Sequence, residues 1–201
     1  MNTINLSLLE KSFDLAGTRL ASAAGTPWTA PTPCARWTLR QLANHLIALP
    51  TVLARSVAGE RLAPEEFSPD KMAADDYLGA DPCGTEAASL FAAAAATVLE
   101  ACRTPGALTG SIAMHRGEVP LRGLVTATLS DTAAHAWDLA RATDQDPTLP
   151  DDLAEAALAF MRTFISPAGR AGDLPHFAPV VPVAAGACAT DRFVAFLGRT
   201  P

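Results

Sequence analysis

The sequence predicts an all-α fold. Five segments repeat their apolar residues at the helical period, and alanine-rich runs within them lower the side-chain entropy cost of a helix. The 16 prolines and 13 glycines fall mostly between those segments. Hydrophobic residues make up 49% of the 201, enough for a sizeable core. A single domain over residues 1–201 is expected, with residues 168–201 as a C-terminal strap carrying a short helix.

The first helix is expected from Leu6 to Ala23, with Leu6, Leu9, Phe13, Ala16 and Leu20 on one stripe. GTPWTAPTPCA (25–35) is broken by three prolines and reads as a loop anchored by Trp28. The second helix starts sharply. Thr38 caps it, Gln41 completes a capping box, and Trp37 and Leu42 form a hydrophobic staple around the cap. Leu42, His45, Leu46, Leu49, Val52 and Leu53 carry the pattern to Val57, where Gly59 is a stop. Pro50 removes a backbone hydrogen bond inside this run and predicts a kink or a division.

Residues 60–84 read as a long acidic loop of the kind that covers one end of a cleft. The third helix, 85–103, buries Ala88, Phe91, Ala95, Val98 and Cys102. SIAMHRGEV (111–119) reads as a short hairpin or tight loop, with His115 pointing away from Ile112 and Met114. The fourth helix starts near Pro120 and ends at Ala142. The fifth, 151–165, opens on Asp151 and Asp152 and buries Leu153, Ala157, Phe160 and Phe164. HFAPVVPVA (176–184) is extended, and a last short helix covers 189–197.

Composition narrows the function classes. A net charge of −6 without a lysine or arginine cluster argues against nucleic-acid binding. No run of eighteen apolar residues predicts a membrane span, and MNTINLSLLEKSF lacks the basic start and apolar core of a signal peptide. A cytoplasmic location is expected. Cys34, Cys83, Cys102 and Cys188 have no CxxC spacing and read as reduced thiols.

The fourth helix carries the chemistry. Asp131 and His135 stand four residues apart, one turn apart on one face of an otherwise small and apolar helix. With His45 from the second helix they make a candidate metal triad, His45, Asp131 and His135. Such a donor set suits Zn²⁺, Ni²⁺, Fe²⁺ or Mn²⁺ and leaves room for water or substrate. Two other arrangements fit the same residues: a hydrogen-bonded Asp131–His135 pair, and unrelated packing or solvent-facing roles. Asp138 can accept from the free nitrogen of His135 or pair with Arg141. Trp137 reads as packing, Thr128 and Thr132 as pocket-lining candidates, and His176 as a candidate substrate contact.

Four stretches together resemble the mycothiol-dependent maleylpyruvate isomerase-like proteins of the DinB/YfiT superfamily, closest to a short actinobacterial branch of metal-binding proteins. They are WTLRQLANHL (37–46), SIAMHRGEVP with the helix after it, residues 131–161, and FAPVVPVAAGACATDRFVAFLGR (177–199). The resemblance implies a DinB/YfiT-like four-helix bundle with an additional helix and an extended C-terminal tail. It implies a metal held by three residues at the positions of His45, Asp131 and His135; the middle position is commonly glutamate or histidine, and the aspartate here is one methylene shorter than glutamate. It also implies mycothiol as a cosubstrate. The full isomerases carry a further C-terminal domain that contributes to the substrate site.

The leading expectation is a metal- and thiol-dependent isomerase or S-transferase acting on a small electrophile, with a divalent transition metal, foremost Zn²⁺, as cofactor. A non-catalytic metal- or small-ligand-binding accessory protein is the alternative, and a structural or interaction protein a third. No nucleic-acid or membrane partner is expected, and the chain is read as a monomer or homodimer.

Overall fold

The computed structural model describes residues 6–79, 82–114, 117–166, 170 and 177–201. Helices α1 (Leu6–Ala21), α2 (Leu39–Val57), α4 (Gly84–Arg103) and α5 (Leu121–Ala142) form a four-helix bundle. Around the bundle the order is α1, α4, α2, α5, each helix packed on the next and α5 closing on α1. Helix α3 (Pro69–Ala74) packs on α2, and α6 (Asp151–Phe164) packs on α5. Helix α7 (Ala189–Phe196) packs on α6. The expected all-α class is therefore observed, with the additional helix and the tail.

One continuous core fills the bundle, with Leu9, Phe13 and Leu20 from α1 meeting Leu42, Leu46, Phe91, Val98 and Leu129. Phe13 and Phe91 join α1 to α4 edge to face, with ring centroids 5.7 Å apart. Helix α4 is long and apolar enough, by length and composition alone, to cross a membrane. In this fold its stripe of Ala87, Phe91, Ala95, Val98 and Cys102 is spent on the bundle core.

The start of α2 matches its sequence signals. Thr38 accepts from the Gln41 backbone, and the Gln41 side chain accepts from the Thr38 backbone N–H at 2.9 Å. Trp37 and Leu42 are both buried. The far end closes at Gly59, with Gly59 N–H donating to Ser56 and Glu60 N–H to Arg55. Pro50 does not divide the helix, which runs unbroken from Leu39 to Val57.

The expected 60–84 loop contains a 3₁₀ turn, Pro64–Phe67, and α3. Ser68 caps α3, Pro69 occupies its first turn, and Met72 packs with Ala48 and Val52 on the outside of α2. Six residues are too few to display a helical period, which is why the segment reads as loop. The hairpin is present: β1 (Ser111–Met114) pairs antiparallel with β2 (Gly117–Pro120). His115 and His176 lie outside the described residues. On α6 the buried stripe is Leu153, Ala154, Ala157, Leu158 and Met161. Phe160 is only half-buried, and Phe164 is exposed and stacked on it, contrary to the expected face.

Candidate metal centre

Two helices bring the candidate residues together. The apolar stripe of α2 carries His45 inward, and the small residues of α5, alanines above all, let it approach closely enough for Asp131 and His135 to meet that ring. His45 Nε2 lies 2.8 Å from Asp131 Oδ2, and His135 Nε2 lies 3.4 Å from Asp131 Oδ1. The three donor atoms lie within 4.8 Å of one another. His45 meets one oxygen of the Asp131 carboxylate and His135 the other. The shorter aspartate thus reaches both imidazoles.

Exposure gives the site a direction. The side chains of His45 and His135 are 1% and 7% exposed, whereas Asp131 is 31% exposed. Among the three donors the carboxylate is the one that faces outward. Trp37 packs against both imidazoles, its ring centroid 4.7 Å from that of His45 and 5.3 Å from that of His135. Among the described residues the buried Nδ1 of His45 has no hydrogen-bond partner.

Behind His135 stands a second pair. His135 Nδ1–H donates to Asp138 Oδ2 at 2.9 Å. Asp138 is fully buried and receives both arms of the Arg199 guanidinium, at 2.7 and 2.6 Å. Arg141, the other partner weighed for Asp138, instead lies 5.6 Å over the Trp137 ring.

The charge states follow from these contacts. Burial works against the Asp131 carboxylate, yet His135 and His45 together hold it well below the ordinary carboxylate range. Burial also works against a charged His135, but Asp131 and Asp138 outweigh it and raise the imidazole to about 9. For His45 burial wins and the ring is held neutral. Burial opposes the Asp138 anion, and Arg199 overcomes that and keeps it ionised. A divalent ion would displace the Nε2 proton of His135 and shift that of His45 to its Nδ1.

Cys34, His135 and Asp138 form a second donor group, also within 4.8 Å. It is a poor cation site, because both Asp138 oxygens are engaged and a guanidinium sits on them. Cys34, Trp37 and Arg199 are the neighbours that reading the sequence residue by residue did not place here. Trp37 read as half of a capping staple, and Arg199 stands 61 positions from its partner. Thr128 and Thr132 are buried, and Thr132 Oγ1 has no hydrogen-bond partner.

Residues 10–140 match the model of the mycothiol maleylpyruvate isomerase N-terminal domain. The chain belongs to that family. Two uncharacterized proteins of Mycobacterium tuberculosis, from strains CDC 1551 / Oshkosh and ATCC 25618 / H37Rv, are each 31% identical over 191 residues, 95% of either chain. Among solved structures, the crystal structure of the mycothiol-dependent maleylpyruvate isomerase superposes with a TM-score of 0.56 at 19% identity. A histidine-to-alanine mutant of that enzyme gives 0.57 at 18%. Both alignments cover 78% of this chain and 65% of the isomerase, so the family member described here spans just under two thirds of those solved chains. The likeness extends the family assignment to the fold.

Proposed function

We propose that this family member binds one divalent transition ion, foremost Zn²⁺, through His45, Asp131 and His135, and uses it in thiol-dependent chemistry on a small electrophile. The observation that supports this best is the convergence of three donors from two helices, Asp131 the most exposed of the three, in a chain of this family. His45 and His135 would offer Nε2, and Asp131 would add the negative charge. When bound, the ion lowers the pKa of a thiol or water, supplying a nucleophile at neutral pH. Trp37 excludes water from one side of the imidazoles, and Asp138 holds the proton on His135 Nδ1. Mycothiol is the proposed cosubstrate, and isomerisation or S-transfer the proposed reaction. The four free cysteines accord with a reducing cytoplasm.

A second reading is a metal- or small-ligand-binding accessory protein without turnover, motivated by the 65% share of the isomerase chain that the match covers. One experiment separates the readings. Protein purified without a metal-binding tag is assayed for metal beside His45→Ala and His135→Ala, then incubated with mycothiol and a panel of electrophiles. About one equivalent of metal, lost in both variants, together with thiol-dependent turnover, is the expected result. Metal without turnover favours the accessory protein. No metal after reconstitution with Zn²⁺, Ni²⁺, Fe²⁺ and Mn²⁺ refutes the metal site in either reading and leaves only a small-ligand-binding accessory protein.

A further inference from the structure

We propose that Arg199 is a positioning residue of the metal centre, acting through Asp138 to hold the His135 ring with Nε2 facing Asp131. The inference rests on the metal reading above and adds to it the C-terminal segment.

The chain of contacts is continuous. Arg199 Nε donates to Asp138 Oδ1 and a terminal nitrogen to Oδ2. Asp138 Oδ2 accepts in turn from His135 Nδ1–H. A proton fixed on Nδ1 leaves Nε2 as the nitrogen able to ligate, so the orientation of Asp138 decides how the ring presents itself. A carboxylate gripped at both oxygens by one planar fork has little freedom to turn.

The backbone that delivers Arg199 is equally fixed. At the end of α7, Gly198 N–H donates to Ala195 and Arg199 N–H to Val194, the two bonds of a Schellman closure. Gly198 has φ +87°, and a Cβ there would stand 2.6–2.8 Å from Ala178 atoms, two of them backbone. Glycine is therefore required twice over, by the turn and by the close approach of Ala178, and Arg199 follows it directly.

Docking of the tail alone does not account for this pair. Arg199 is 11% exposed and Asp138 is fully buried, so both groups lose most of their hydration. Apolar side chains of similar volume would dock the tail at lower desolvation cost. The ion pair sits where its carboxylate also meets the outer nitrogen of a candidate ligand, which gives the burial a role beyond packing.

The test uses the full chain as wild type, Arg199→Lys, Arg199→Gln and Gly198→Ala. Co²⁺ affinity is measured by chelator competition and the Co²⁺ visible spectrum is recorded. In metal-free protein the His135 Nδ1 proton is followed by nitrogen-edited NMR, assigned with His135→Ala. Arg199→Gln is expected to weaken Co²⁺ about 10- to 100-fold, alter the spectrum and lose the slowly exchanging Nδ1 proton. Arg199→Lys recovers part of each, and Gly198→Ala, which keeps the charge but displaces it, weakens Co²⁺ as well. A folded Arg199→Gln protein with wild-type affinity and spectrum overturns the proposal. Should Arg199→Gln fail to fold, Arg199→Lys decides: affinity within twofold of wild type overturns it. If wild type itself takes up no Co²⁺, the metal reading fails. The role of Arg199 is then decided by the Nδ1 proton, whose persistence in Arg199→Gln (or, if that variant is unfolded, at wild-type strength in Arg199→Lys) overturns it.

Discussion

Cys34 lies beside the candidate centre, its thiol half-buried. Burial first, and then Asp138, push its pKa up to about 11. Cys83 is the opposite case. It is exposed at the start of α4, and the Thr85 hydroxyl, followed by the Glu86 backbone N–H, lowers its pKa. With the Cys34 pKa raised to about 11 and that of Cys83 lowered, Cys34 carries far less thiolate near neutral pH. Timed alkylation of the native protein at pH 8, read by peptide mass mapping, should modify Cys83 well before Cys34. Comparable rates would show that the Cys34 pocket opens readily. At this scale the sequence was legible where chemistry follows a local spacing. Asp131 and His135 share a helix face because 3.6 residues make a turn, and the capping box of Thr38 and Gln41 is a three-residue pattern. It was illegible where a contact joins distant positions: nothing local to Arg199 or Cys34 marks either as a neighbour of His135.

Among the elements, α5 ends under strain that the sequence does not advertise. Asp144, just past its last residues, adopts φ 54°, and Gln145 N–H closes the turn on Ala140 at 2.9 Å. A non-glycine residue there costs about 1 kcal/mol, and the aspartate adds negative charge at the negative end of the helix dipole. Asp144→Gly relieves both effects and gives back part of the gain through a more flexible unfolded chain. The net expectation is a stabilisation of about 0.5–1 kcal/mol, seen as a melting temperature raised by about 2–3 °C. A lowered melting temperature would mean that the Asp144 side chain makes a compensating contact. The long helices were legible because fourteen or more residues display a period; α3, with six, does not. On α6 the period was right but the face was turned. Two phenylalanines suggested the buried side, whereas the smaller Ala154 and Leu158 take it because α5 and α7 pack closely there.

For the whole molecule, the candidate ion would tie α2 to α5, two walls of the bundle whose other links are apolar. Such a tie exists only in the folded chain, because 86 residues separate His45 from Asp131. Binding therefore adds directly to folding stability, by about 2.7 kcal/mol when free metal is at a hundred times its dissociation constant. For a chain of this size that raises the melting temperature by about 5–10 °C. The rise should grow with the logarithm of metal concentration, vanish on chelation, and be absent from His45→Ala and His135→Ala. His45→Ala gives the sharper test. It removes the only α2 donor of the triad, so an ion retained by Asp131 and His135 alone would no longer bridge the two walls. A rise that survives undiminished in His45→Ala would show that the stabilising ion does not use the α2 donor and separate metal binding from the convergence of these two helices.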